Sequence, residues 1–65
     1  MKEVWVYKGK IKEFAIDLEN AGYDEAFIRK NRLFLLLEAD AYQEMVLFRK
    51  EIQEIEKKHK VKRVM

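Results

Sequence analysis

Ala26-Phe27-Ile28-Arg29-Lys30-Asn31-Arg32-Leu33-Phe34-Leu35-Leu36-Leu37 reads as one β-strand folded back on the next. Apolar, β-forming residues run on both sides of Lys30-Asn31. Asn tolerates the positive φ that a tight hairpin turn requires. A two-residue turn here pairs Arg29 with Arg32, Ile28 with Leu33, Phe27 with Phe34 and Ala26 with Leu35. Side chains alternate between faces, so this register makes two sets. Ala26, Ile28, Leu33, Leu35 and Leu37 share one face. Phe27, Arg29, Arg32, Phe34 and Leu36 share the other. The purely aliphatic set suits a core, which leaves the mixed aromatic and arginine set pointing away from it.

Working outward, the strands of this hairpin extend over Tyr23–Arg29 and Arg32–Glu38. Lys2–Lys8 forms an earlier strand, because Val4, Trp5, Val6 and Tyr7 are all β-branched or aromatic. Between them, Ile11, Phe14, Ala15 and Leu18 recur at helical spacing, predicting a helix over Lys10–Ala21 that Gly22 stops. After the hairpin, Asp40 with Gln43 three residues on reads as the capping box of a long helix. Ala41, Met45, Phe48, Ile52, Ile55 and His59 line its inner face, and Leu47 or Val46 projects beyond it. Glu54 with Lys58, and Glu56 with Lys60, are spaced as i,i+4 ion pairs on the solvent side. Val61–Met65 makes a short last strand.

The order β-α-β-β-α-β predicts the α+β class: a ferredoxin-like split βαβ sandwich spanning 1–65 as a single domain. Its four-stranded antiparallel sheet would have strand order 4-1-3-2 and carry two helices on one face. On the first strand, Val4 and Val6 are expected inward and Trp5 and Tyr7 outward. On the last, Val64 is expected inward and Arg63 outward. The open face would then carry Trp5, Tyr7, Phe27, Phe34 and Leu36, rimmed by Arg29, Arg32 and Arg63. A contiguous patch of aromatics on so small a domain is more than soluble monomers usually expose.

Composition narrows the function classes. A chain of 65 residues buries only about 60% of the surface that its unfolded state exposes. Cys is absent and His59 is the only histidine, so neither a disulfide nor a zinc cluster can compensate. Dense packing or self-association must do so. Ser, Thr and Cys are all missing, which removes the usual nucleophiles, and Lys8 closes the first strand where small nucleases of this topology carry an acid. The expectation is no enzyme, no metal and no cofactor. His59 is expected to pack its ring near the helix end and, when charged, to meet the C-terminal dipole. Fourteen basic and 12 acidic residues are interleaved along the chain, too mild a balance to point to nucleic acid by itself. The Lys- and Glu-rich profile, without Ser, Thr or Pro, is thermophile-like. The longest apolar run, Leu33–Leu37, is far too short to span a bilayer, and Met1-Lys2-Glu3 opens no signal peptide. A cytoplasmic protein without a membrane partner is expected.

Gly9-Lys10-Ile11 through Ala21-Gly22, a glycine entering the first helix and a small-residue exit, loosely resembles ACT domains. The ending Lys60-Val61-Lys62-Arg63-Val64 resembles the last strand of the Lrp/AsnC effector-binding module, although Lys30-Asn31-Arg32 stands where that module carries a glycine and an aspartate. The resemblance implies sheet-mediated homodimers or higher oligomers. A second resemblance is to the RNA-recognition motif, carried by Trp5 on the first strand and Phe34 on the third. It implies single-stranded RNA or DNA stacking on the open face, while Asn31, Arg32 and Leu37 depart from that family's pattern. Self-association is the leading expectation and nucleic acid the alternative.

Overall fold

The computed structural model describes residues 1–65. The chain runs β1 (Lys2–Gly9), α1 (Ile11–Asn20), β2 (Ala26–Arg29), β3 (Arg32–Glu38), α2 (Tyr42–Glu56) and β4 (Val61–Arg63). The four strands form one sheet in the order β2-β3-β1-β4, with every neighbouring pair antiparallel. This is the α+β, ferredoxin-like split βαβ arrangement expected from the sequence. No helix is long and apolar enough to cross a membrane.

The hairpin forms in the expected register, Arg29 opposite Arg32 through Ala26 opposite Leu35. Lys30 (φ 51°) and Asn31 (φ 62°) both adopt the left-handed conformation of a type I′ turn. β2 is shorter than expected because α1 ends in a Schellman motif. Gly22 takes φ 97°, its N–H reaches the Glu19 carbonyl, and the Tyr23 N–H reaches the Leu18 carbonyl. Tyr23 is thereby turned toward Phe48, edge to face at 5.6 Å, instead of joining the strand.

The core lies between the sheet and both helices. Leu33, Leu35 and Leu37 of β3 pack with Ile11, Phe14 and Leu18 of α1 and with Met45, Ile52 and Ile55 of α2. The remaining large pieces are Trp5 and Tyr7, 1% and 0% exposed, which reverses the expected phase of β1. β1 pairs with β3 as Trp5 with Leu35 and Tyr7 with Leu33, and directly opposite residues share a face. The physical cause is volume. A Trp and a Tyr bury about 150–250 Å² each, well beyond what two valines offer an undersized core. Their polar tips lose nothing by going in. Trp5 Nε1 donates to Glu3 at 2.8 Å and the Tyr7 hydroxyl donates to Glu56 at 2.5 Å.

β4 is also reversed. Arg63, expected outward, sits opposite Tyr7, and its guanidinium stacks 3.7 Å from the Trp5 ring centre. Val64, expected inward, is on the other side and 42% exposed.

The ends of α2 differ from expectation too. Buried Ala39, whose N–H bonds the Met1 carbonyl, fixes the chain so that extended Ala41, exposed rather than in the core stripe, is the N-cap residue. Asp40 falls one place too early to cap, and its own N–H instead reaches the Glu44 carboxylate at 3.3 Å. The helix stops at Glu56, so the two expected i,i+4 pairs do not form. Glu54 takes Lys57 instead, at 3.1 Å. His59 lies in the turn beyond the helix. Its ring packs edge-on against Phe14, and its Nε2 meets Asp17 of α1 at 2.6 Å. Asp17, not the helix end, is its partner.

Candidate interface on the open sheet

Alternation from the observed registers gives the residues of the sheet face that no helix covers. β1 presents Lys2, Val4, Val6 and Lys8, and β3 presents Arg32, Phe34, Leu36 and Glu38. β2 adds Phe27 and Arg29, and β4 adds Lys62, with Val64 just beyond it. Of the residues expected here, Phe27, Arg29, Arg32, Phe34 and Leu36 are brought together. Trp5 and Tyr7 are not, being in the core, and Arg63 covers Trp5 from the opposite side of the sheet.

The centre of the face is aliphatic with one aromatic pair. Phe27 and Phe34 stack nearly parallel, 7° apart with centres at 5.0 Å. Val4 (50%), Phe27 (49%) and Leu36 (39%) are well exposed for apolar residues in a sheet. Val6 is buried yet outside the main core. Val64 and Met65 bracket it, Val64 N–H bonding the Val6 carbonyl at 2.7 Å and Val6 N–H bonding the Met65 carbonyl at 2.9 Å.

Charge on this face is graded along the strands. Arg29, Arg32, Lys8 and Lys62 lie at the turn end of the hairpin, and Glu38 lies at the other end beside Lys2. None of these charges belongs to an ion pair. The three ion pairs, Arg49–Glu3, Lys57–Glu54 and His59–Asp17, all lie on the helix side. Glu3 is held below the usual carboxylate range, by the Trp5 indole N–H first and Arg49 second, and is occupied on that side.

No protein-family model, curated protein or solved structure matches the chain.

The sequence reading missed Val4, Val6 and Val64 as members of the face, along with the rim charges Lys2, Lys8, Glu38 and Lys62. One signal could have set the phase of β1. Glu3 stands two residues before Trp5, on the same side of a strand, within reach of its indole. A hollow of about 590 Å³ lies elsewhere, between Gly9–Glu13, the hairpin turn and Lys58–Lys60. Ile11 and Ile28 are its only apolar lining. Half of the rest is lysine, and His59 is already engaged by Asp17. No three His, Asp or Glu side chains converge as a metal site.

Proposed function

We propose that this domain is a non-enzymatic interaction module that binds a second copy of itself through the open sheet face. The observation that carries the reading is the apolar surface of Val4, Phe27, Phe34, Leu36 and Val64, laid around buried Val6, on a domain with 13 buried residues. A second copy packed on this face would supply the missing half of a two-layer core. Sheets pack face to face about 10 Å apart with interdigitated apolar side chains, the geometry that valines and stacked phenylalanines suit. Strands of eight, four, seven and three residues, rising about 3.3 Å per residue and spaced about 4.8 Å, offer a projected area on the order of 350 Å². The accessible area is larger still, so pairing the whole face approaches the lower end of specific interfaces, about 600 Å² per partner.

Burial of Trp5 favours self-association over nucleic acid. Stacking of single-stranded bases needs exposed aromatic faces on the central strands. β1 offers valines there, and Phe34 already has one side on Phe27.

Light scattering across a wide concentration range tests the reading. The expected result is a dimer mass for the native chain and a monomer mass for Phe34→Glu and Val4→Lys, both with native circular dichroism. A native chain that stays monomeric at millimolar concentration overturns it. Binding of a labelled oligonucleotide by that monomer, steeply weakened by salt, would instead indicate the nucleic-acid class.

A further inference from the structure

The graded charge of the open face specifies how two copies would meet. Along β3 the face reads Arg32, Phe34, Leu36, Glu38, and the β1 residues level with the last three are Val6, Val4 and Lys2. The β3 series is complementary to its own reverse: cation against anion at the ends, phenylalanine against leucine within. On β1, Val4 meets Val6 in the same reversal.

We infer that the two copies pair about a two-fold axis that crosses the strands at the level of Leu35 and Trp5, so that Arg32 of each faces the partner's Glu38. This rests on the self-association reading above. Two-fold pairing is isologous, so one complementary contact occurs twice. Arg32 and Glu38 each lie about 10 Å from that axis along the strand. The roughly 30° crossing of aligned sheets displaces the strand ends about 5 Å sideways, within the span of an arginine side chain. Both groups lack an ion-pair partner in their own chain, so the contact replaces none.

The competing two-fold axis, running along the strands, does the opposite. It lays the β2 and β3 edge of one copy over the β1 and β4 edge of the other. Arg29 and Arg32 of each copy would then meet the partner's Lys62 and the partner's Lys8, crowding eight cations at one end of the interface, while Glu38 meets the partner's Lys2 at the other. The favoured axis sets Lys2 against the partner's Lys8. Both are rim lysines whose long stems let the ammonium groups swing into water.

Charge exchange tests this pairing. Arg32→Glu and Glu38→Arg, each alone, are expected to weaken dimerisation at least about tenfold, because each turns both symmetric contacts repulsive. Arg32→Glu also relieves the Arg29–Arg32 cross-strand pair, so the hairpin survives it. The double variant in one chain is expected to recover native affinity. An equimolar mixture of the two single variants is expected to form a heterodimer, seen in native mass spectrometry. If the single variants dimerise like the native chain while Phe34→Glu is monomeric, the axis is wrong and the face stands. If neither recovery nor heterodimer appears, the axis is likewise overturned. If Phe34→Glu leaves the mass unchanged, the face itself is wrong.

Discussion

The hydroxyl of Tyr7, near the end of the central strand β1, donates to the carboxylate of Glu56, the last residue of α2, at 2.5 Å. A second phenol repeats the arrangement, Tyr23 donating to Glu51 on the same helix, also at 2.5 Å. These two clasps hold α2 to β1 and to the exit of α1. A hydrogen bond to a charged group contributes about 1.5–3 kcal/mol. Tyr7→Phe, which keeps the ring and its edge-to-face contact with Phe14, is expected to cost about 2 kcal/mol in urea unfolding. Tyr23→Phe should cost less, because its bond is open to water.

The same clasps set an alkaline limit. Burial first, and the neighbouring carboxylate second, push both phenols above the ordinary tyrosine value near 10. A raised folded value contributes stability that is fully present below the unfolded value and is lost as pH rises toward the folded one. Unfolding free energy should therefore be level in this respect up to about pH 10. Above that, Tyr7 alone should remove up to about 1.4 kcal/mol per pH unit. Urea titrations between pH 8 and 11 would show the decline, and the double Tyr→Phe variant would flatten it.

The face reversal on β1 makes a contrast between adjacent positions. Trp5→Ala, within the core, is expected to cost about 3–5 kcal/mol, comparable to the whole stability of a domain this size. Val4→Glu, one residue earlier, should leave the melting temperature of the monomer within a few degrees and abolish association. If Val4→Glu unfolded the chain and Trp5→Ala did not, the observed register would be wrong.

Gly9 and Gly22 both take positive φ, but they should respond differently to alanine. A Cβ on Gly9 (φ 110°) would lie 2.5 Å from the Lys60 carbonyl oxygen, where β1 and β4 close together. Strain and collision with backbone add, and Gly9→Ala should cost about 3 kcal/mol or more. Gly22 (φ 97°) has open space around the added atom, so only conformational strain remains, about 1–2 kcal/mol.

The hairpin turn can be improved. Lys30 and Asn31 both occupy the left-handed region, which Asn-Gly occupies at least cost. Replacing them with that dipeptide should raise stability by about 1 kcal/mol, and Asn31→Val should lower it by about as much. Thermal melts of the three proteins decide the order.

What the sequence made legible depended on local contrast. The hairpin faces could be read because one set, Ala26 to Leu37, is wholly aliphatic and the other contains two arginines. The phase of β1 could not, because Val4 to Tyr7 are apolar at every position and alternation carries no sign. Only the cross-strand register and the polar partners at the rim, Glu3 and Glu56, fix it. β4 failed for a related reason. With three residues it has too little pattern to orient, and Arg63 is drawn to the Trp5 ring rather than to water. The cap at Asp40 was displaced by one residue through burial of Ala39, a tertiary constraint that a capping motif does not contain. The open face was thus legible in its β2 and β3 half and misread in its β1 and β4 half.

Arg63 over the buried Trp5 ring has a spectroscopic consequence. The chain holds one indole, and it lies on the inner side of the sheet, against the helices. Its emission is therefore a private gauge of whether the core is intact, nearly deaf to whatever docks outside. Folding and assembly can be followed in the same cuvette by two signals, intrinsic fluorescence for the first and scattered light for the second, without either contaminating the other.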